Sequence, residues 1–241
     1  MTIGQFRKRI WDHYAAHGRH DMAWRKKRDP YRIVVSEVML QQTQVARVEK
    51  KYPEFIAAFP GFASLAKAPL KDVLAAWQGM GYNRRALYLK RIAEEVVREH
   101  GGILPHDPEA LEKLPGIGHA TARSIAAFAF DAPVAFIETN IRSVFLRHFF
   151  PGRKGVKDAQ ILPFVERALD RARPREWHWA LMDYGTHMKG FGTNPSRASA
   201  HHGTQEKFAG SDRQARGAIV RALLASGPRT IPDIVRETGM E

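Results

Sequence analysis

Two carboxylates stand in contexts that suit acid–base or electrostatic chemistry. Glu37 belongs to the segment SEVMLQQTQV, where glutamines follow the acid on the polar face of a predicted helix. Such glutamines could enter a groove or fill the space left by a displaced base; a solvated polar face is the alternative. Glu138 ends an apolar run and precedes a helix that we expect to begin near Ile141. The dipole of that helix favours an ionised carboxylate. The simpler alternative is a plain capping segment, with Thr139 or Asn140 as N-cap.

A glycine-containing turn between two predicted helices has the form of an anion-binding site. It consists of Leu114-Pro115-Gly116-Ile117-Gly118, followed by a helix rich in small residues. Glycine at two positions permits positive φ and lets neighbouring N–H groups face a phosphate. His119 and Arg123 would add positive potential. A plain helical hairpin is the alternative, but the LPGIG form resembles the helix-hairpin-helix DNA-binding motif.

The composition indicates a polyanionic partner. Among 241 residues, Lys and Arg number 38 and Asp and Glu number 25, which gives a formal net charge of +13. The basic residues are scattered rather than gathered on one amphipathic helix, so nucleic acid fits better than a membrane surface. The chain contains no cysteine. Disulfides, a thiolate nucleophile and cysteine-ligated zinc or iron–sulfur sites are therefore excluded.

Helical periodicity recurs along the chain without sustained period-two alternation, so the predicted fold class is all-α. We expect helices at about 3–17, from Asp29-Pro30 to about 48, from Asn83 to about His100, and from Asp107-Pro108 to Pro115. Segment 189–211 lacks helical periodicity, and two more helices are expected at 213–224 and 231–238. The last thirty residues form either a small helix-turn-helix unit or a tail packed on the core, and we favour the tail.

Five motifs together carry a resemblance to a known family. In chain order they are RDPYRIVVSEVMLQQTQV, GMGYNRRALYL, LPGIGHATARSIAAFAF, FIETNIRSV and ALMDYG. In this order and spacing they resemble the helix-hairpin-helix base-excision glycosylase superfamily, which contains endonuclease III and MutY, and within it the MutY branch. The resemblance implies a two-lobed, all-α fold with a DNA-binding cleft between the lobes. It further implies a glycosylase core at 1–190, with two interleaved lobes, and a cysteine-free segment at 191–241 in place of the iron–sulfur region.

The resemblance also implies roles for individual residues. Glu37 matches the acid that protonates the departing adenine and organises water. Glu138 matches an aspartate that stabilises the sugar cation, with Asn140 as its polar support. Gln42 and Tyr82 match side chains that wedge into the duplex while the target nucleotide is flipped out. The expected DNA contacts are Gln41, Gln42, Tyr82, Leu114, Gly116, Gly118, His119 and Thr121.

Two departures from the family pattern bear on activity. Glu138 is one methylene longer than aspartate, so its carboxylate could overshoot by about an ångström and cost about 100-fold in rate unless the backbone compensates. Ala120 stands at the specificity position where bifunctional relatives carry a Schiff-base lysine, so no lyase activity is expected.

Two further departures concern the C-terminal region. The positions that match the cluster cysteines are Lys189, Ser196, Ser199 and Gln205. We therefore expect no iron–sulfur cluster and no other cofactor, and no metal at His187, His201 or His202. Because the sequence ends at Glu241, we also expect it to lack the additional domain by which MutY senses 8-oxoguanine.

The predicted function is that of a monofunctional DNA glycosylase in base excision repair, which hydrolyses the N-glycosidic bond of a flipped, mispaired base. The run Gln41-Gln42-Thr43-Gln44 favours adenine. Removal of thymine or uracil from mismatches with guanine is the first alternative, since such relatives also carry a glutamate at position 37. A catalytically weak protein that binds damaged DNA is the second. We expect a monomer that binds double-stranded DNA with a mispaired or damaged base. With neither a membrane span nor a secretory signal in the sequence, a cytoplasmic, nucleoid-associated location is expected.

Overall fold

The computed structural model describes residues 1–190, 194–203 and 207–238. Over these ranges the regular elements are helical, apart from one isolated bridge between Val156 and Ser199, and the predicted all-α fold is confirmed. In chain order the α-helices are α1 (Ile3–His17), α2 (Pro30–Leu40), α3 (Val45–Ala58), α4 (Phe62–Lys67), α5 (Leu70–Ala76), α6 (Arg84–His100), α7 (Pro108–Glu112), α8 (His119–Phe130), α9 (Thr139–Phe149), α10 (Asp158–Ala168), α11 (Pro174–Gly190), α12 (Asp212–Ser226) and α13 (Ile231–Thr238). A short 3₁₀ helix, Pro195–Ala198, lies between α11 and α12.

The described residues form two compact units built from interleaved segments. The first unit contains Met1–Ile33, His106–Lys113 and the described part of Ile117–Gly203. The second contains Val34–Pro105, Leu114–Gly116 and residues 207–238. The division into a core at 1–190 and a separate segment at 191–241 stays a prediction.

Aromatic side chains fill the core of the first unit, where α1, α9 and α11 pack together. The ring centroid of Phe6 lies 5.0 Å from that of Phe145 and 6.2 Å from that of Trp177. All three side chains are fully buried, and each contributes about 2–3 kcal/mol to folding. Gly185 of α11 lies against the start of α9, where a Cβ would stand 2.6 Å from the carbonyl oxygen of Asn140. Glycine at 185 therefore permits the close approach of α11 to the start of α9.

An apolar stripe on α6 organises the second unit. The helix packs against α4 and α5, and the buried apolar residues of the stripe are Ala86, Leu89, Ile92, Ala93 and Val96. Their spacing of three to four residues is that of one helix face. Trp77 follows α5; its ring centroid lies 5.9 Å from that of Phe55, and its Nε1 donates to the carbonyl oxygen of Gly81 at 3.0 Å. Trp77 thereby fixes the turn between α5 and α6.

Local signals set several helix boundaries as predicted. Helix α1 spans the expected residues, and α6 ends before Gly101, which adopts the left-handed conformation. Asp107 caps α7 by accepting from the N–H of Ala110 at 3.0 Å. In the described part of the chain, no helix combines the length and the apolar character that crossing a membrane requires.

Two predicted boundaries are wrong. The helix that begins at Pro30 does not continue to about residue 48 but ends at Leu40, and α3 begins at Val45. The break is local, since Gln42 has a φ of 52°, which no right-handed helix accommodates. Helix α7 ends at Glu112, three residues before the expected end.

Candidate active site

Glu138 stands at the N-terminal end of α9, where its carboxylate caps the helix. Oε1 accepts from the backbone N–H of Ile141 at 2.6 Å, and Oε2 accepts from Nδ2 of Asn140 at 3.3 Å. The helix begins at Thr139, two residues before the expected start, and its N-cap is Glu138 itself rather than Thr139 or Asn140, the N-caps of the alternative interpretation. The longer side chain still reaches the amide that a capping aspartate would bind. The carboxylate is therefore held at the positive end of the helix dipole.

A lysine and an asparagine extend this site. Nζ of Lys189, near the end of α11, donates to Oδ1 of Asn140 at 2.7 Å, so Lys189, Asn140 and Glu138 form one hydrogen-bonded row. The pKa of Glu138 is raised because burial outweighs the hydrogen bonds from neighbouring N–H groups and the charge of Lys189. The pKa of Lys189 is lowered because its burial outweighs the attraction of Glu138. Burial disfavours both charges, but the attraction between them favours the ionised form of each group.

The extended segment before Glu138 is anchored by a buried histidine. The ring centroid of His178, on α11, lies 4.2 Å from that of Phe136, and Nε2 donates to the carbonyl oxygen of Val134 at 2.9 Å. Because a carbonyl only accepts, Nε2 carries the proton of a neutral imidazole. Burial lowers the pKa of His178 to about 4. The segment that leads to Glu138 is therefore held by a side chain that stays neutral at pH 7.

Glu37 lies on α2, in the second unit. It is half-buried, and its helical neighbours on both sides, Ser36 and Val38, are fully buried. The glutamines expected on the same polar face follow the end of the helix instead: Gln41 is half-buried and Gln42 is exposed. The structure therefore places the acid on a largely buried helix and the glutamines in the loop beyond it.

The two residues predicted to wedge into the duplex have strained backbones. Gln42 has a φ of 52° and Tyr82 a φ of 48°. Among the residues that the structure describes, the other non-glycine residue with positive φ is Asp131, at the end of α8. This conformation costs a non-glycine residue about 1–2 kcal/mol and persists where the surrounding structure holds it. Two of these three strained residues are therefore the ones selected from the sequence as duplex wedges.

Arg85 of α6 holds both strained loops. Its Nη1 donates to three carbonyl oxygens at and beyond the end of α2, those of Val38, Met39 and Gln41, at 2.7–2.9 Å. Its Nη2 donates to Oγ1 of Thr43 at 2.9 Å and to the carbonyl oxygens of Met80 and Gly81 at 3.3 and 3.2 Å. Burial lowers the pKa of Arg85 to about 10, so it is charged at pH 7. Because carbonyls at a helix C-terminus carry partial negative charge, they stabilise this buried cation.

The predicted anion-binding turn joins α7 to α8. Gly116 has a φ of 75°, and a Cβ there would collide with the ring of Tyr88. Glycine is therefore required at 116. Gly118 is the N-cap of α8 with a φ of −95°, so of the two glycines Gly116 alone adopts the positive φ that glycine permits. Leu114 and Ile117 are both buried and anchor the turn.

The first turn of α8 carries the remaining predicted DNA contacts. His119 is exposed, whereas Ala120 and Thr121 are half-buried. Nδ1 of His119 lies 3.2 Å from Oε2 of Glu112, and a guanidinium nitrogen of Arg123 lies 3.5 Å from the same atom. The positive potential expected from His119 and Arg123 is therefore partly offset by an acidic neighbour.

Comparison with known proteins identifies the family of this chain. The profile described as HhH-GPD superfamily base excision DNA repair protein matches residues 35–166. The chain belongs to this superfamily. The resemblance drawn from its motifs is confirmed.

Relatives of this HhH-GPD protein include several adenine DNA glycosylases. That of Mycobacterium tuberculosis H37Rv is 33% identical over 231 residues, covering 86% of this chain and 74% of the relative. That of Buchnera aphidicola (subspecies Baizongia pistaciae) is 37% identical over 149 residues, which are 62% of this chain and 42% of the relative. The chain thus spans about three quarters of the first and less than half of the second.

A solved structure gives a second comparison for the HhH-GPD fold. The structure of a thermostable thymine-DNA glycosylase has a TM-score of 0.68 and 26% sequence identity, covering 76% of this chain and 85% of that one. A complex of endonuclease III with DNA has a TM-score of 0.62 at 18% identity, which shows the fold alone.

The positions that match the superfamily's cluster cysteines do not fit an iron–sulfur cluster. Cluster iron is held by thiolates, whereas the described positions carry Lys189, Ser196 and Ser199; Gln205 lies outside the described residues. The two hydroxyl groups make local hydrogen bonds, and Lys189 is bonded to Asn140. Residue 189 therefore supports the carboxylate site of this HhH-GPD protein.

Histidines gather on α1 and α11. The ring centroid of His187 lies 4.6 Å from that of His13 and 6.0 Å from that of His17. His201 and His202 are exposed. Among the described residues, no group of three or more His, Asp and Glu side chains could hold a metal ion. That His187, His201 and His202 bind no metal stays a prediction.

Three residues that shape the site were not assigned to it from the sequence. Arg85 had a local signal, because it interrupts the apolar stripe of α6 at a position where the spacing calls for an apolar side chain. Lys189 and His178 had none, since their bonding partners lie 49 and 44 residues away in the chain. Such pairs depend on the packing of α11 within the first unit of this HhH-GPD protein.

Proposed function

We propose that this protein is a monofunctional DNA N-glycosylase of base excision repair, which hydrolyses the bond between a flipped adenine and its deoxyribose. The observation that carries the proposal is the carboxylate of Glu138, fixed at a helix N-terminus in a member of the HhH-GPD superfamily. The choice of adenine is supported by relatives named adenine DNA glycosylase at 33–37% identity.

The proposed chemistry assigns a separate role to each carboxylate. Glu37 delivers a proton to the adenine ring, so that the electron pair of the breaking C1′–N bond leaves on a neutral base. The deoxyribosyl cation that develops is stabilised by the carboxylate of Glu138, which Asn140 and Lys189 hold in place. Water then adds to C1′, gives up a proton to the Glu37 carboxylate and leaves an abasic site. Ala120 provides no amine, so the strand is not cleaved.

The remaining site residues handle the DNA. Gln42 and Tyr82 enter the duplex while the target nucleotide leaves the stack, and the turn around Gly116 receives a backbone phosphate. The other proposed contacts are Gln41, Leu114, Gly118, His119 and Thr121. The partner is double-stranded DNA with a mispaired or damaged base, bound by a monomer.

A second candidate function is the removal of thymine or uracil from mismatches with guanine. It is favoured by the likeness to a thymine-DNA glycosylase structure at 26% identity. In that function the same carboxylates act on a pyrimidine. The two candidates differ in the base released and not in the fold.

A single-turnover base-release assay separates the candidates. One duplex sequence carries A opposite 8-oxoguanine, A opposite G, T opposite G, or U opposite G, and each reaction is read with and without hot alkali. We expect adenine release, with strand cleavage only after alkali. Release of thymine or uracil would establish the second candidate. Tight binding without release from any duplex would mean a protein that binds damaged DNA without excising a base.

A further inference from the structure

Helix α12 reaches the loop that carries Tyr82. It packs against α5 in the second unit, and its buried positions are Ala218 and Ala222. Its first turn carries Arg213, whose Nη1 donates to the phenolic oxygen of Tyr82 at 2.9 Å. The guanidinium carbon lies 5.7 Å from the centroid of the same ring, within the range of a cation–π contact. A residue 131 positions later in the chain therefore holds both the hydroxyl and the ring of Tyr82.

The loop around Tyr82 is supported from two directions. Gly79 and Gly81 both have positive φ, so the backbone before the tyrosine follows a path that needs glycine. Arg85 binds carbonyl oxygens of this loop, and its guanidinium lies 5.4 Å from the ring centroid. Arg85 therefore holds the main chain of the loop, while Arg213 holds the hydroxyl end of the half-exposed side chain.

We propose that Arg213 is a positioning residue for base opening. It keeps the Tyr82 side chain in the orientation that enters the duplex, and α12 is thereby part of the surface that opens DNA. The inference rests on the proposed function, in which Tyr82 acts as a wedge. A ring that is already held in the inserting rotamer loses less conformational entropy when it enters the base stack.

The contact can be removed without dismantling α12. Ala218 and Ala222 lie more than one helical turn from Arg213, so the buried face of the helix stays intact when the guanidinium is lost. A change in base opening then reports the orientation of Tyr82. Arg221, exposed on the same helix, offers a matched change of charge and side-chain length.

The experiment is a double-mutant cycle with Arg213→Met, Tyr82→Phe and the double variant, and with Arg221→Met as control. Single-turnover adenine release is measured together with the fluorescence rise of 2-aminopurine at the target position, which reports base opening without bond cleavage. We expect Arg213→Met to slow both by about fivefold to tenfold and Tyr82→Phe by about threefold. The double variant should be no slower than Arg213→Met, because both changes remove the same contact. Arg221→Met should match the wild type, and thermal unfolding should confirm that every variant is folded.

Three results would overturn the inference: multiplicative effects in the double variant, equal slowing by Arg221→Met and Arg213→Met, or wild-type opening in Arg213→Met. Because the 2-aminopurine fluorescence reports base opening and the release assay reports bond cleavage, failure of the inference can be distinguished from failure of the proposed function. A wild-type protein that opens the 2-aminopurine duplex but releases no base contradicts the proposed function. The cycle in base opening still tests Arg213.

Discussion

Glu138 caps a helix, and in the proposed function it also supplies a charge; two substitutions separate these two roles. Glu138→Gln keeps an amide oxygen that can accept from the N–H of Ile141, the bond that measures 2.6 Å in the structure, but it removes the charge. Glu138→Ala removes both the acceptor and the charge. Comparing the variants therefore distinguishes a residue that only caps α9 from one that also stabilises a cation.

The expected magnitudes follow from the two tasks. Loss of an N-cap costs about 1 kcal/mol of folding free energy, so Glu138→Ala should be less stable than wild type by about that amount. Glu138→Gln should lie within about 0.5 kcal/mol of wild type, because the cap acceptor remains and burial already disfavours the charged form of Glu138. Both variants should lose about 100-fold to 1000-fold in base release, the range measured when one preorganised electrostatic group is removed.

Three measurements on the same protein preparations test this reasoning. Urea unfolding gives the stability, fluorescence anisotropy with an undamaged and a mismatched duplex gives DNA affinity, and single-turnover base release gives the rate. Duplex affinity should be nearly unchanged in Glu138→Gln, since a carboxylate contributes nothing favourable to phosphate contacts. Base release by Glu138→Gln within tenfold of wild type would refute the catalytic role. Equal stability of the Ala and Gln variants would refute the capping role.

Lys189→Met removes a charge that favours ionised Glu138, so the acid limb of base release should move to higher pH; a pH–rate profile identical to that of wild type would contradict this. His178→Gln should flatten the pH dependence of stability. The folded pKa of His178 is about 4 against an ordinary 6.5, so wild type loses about 3 kcal/mol as pH falls through that window. Urea unfolding at pH 7 and pH 4.5 gives the free energy of unfolding of wild type and of His178→Gln. An equal loss between the two pH values in both proteins would exclude the low pKa of His178. Ala120→Lys should introduce strand cleavage, detected as a borohydride-trapped adduct; no adduct would mean that the new amine does not reach the sugar.

The predictable part of the fold consists of features set by neighbouring residues. Gly101 ends α6 because glycine adopts the left-handed conformation easily, and Asp107 begins α7 because its carboxylate accepts from an amide three residues later. The apolar stripe of α6 repeats within a single helix. These signals lie within a few residues of the structure that they determine, so they can be recognised before the chain is folded.

The errors arise where a distant contact overrides a local pattern. Helical periodicity continues past Leu40, yet the helix ends there and Gln42 turns into the left-handed region. Arg85, more than forty residues later, takes up the carbonyl oxygens that another turn of helix would have used. Nothing in residues 41–44 reveals that partner.

The candidate site likewise combines residues that the sequence identifies with contacts that only the tertiary structure reveals. Glu37, Glu138, Tyr82 and the turn around Gly116 can be selected from sequence, because their residue types and spacing form motifs. The contacts that hold them join residues far apart in the chain: Lys189 to Asn140, and Arg213 to Tyr82. Motifs specify which groups are present. Long-range packing alone decides which cation lies near the carboxylate and what holds the tyrosine ring. The reason is that a hydrogen bond forms only when both partners are brought within about 3 Å.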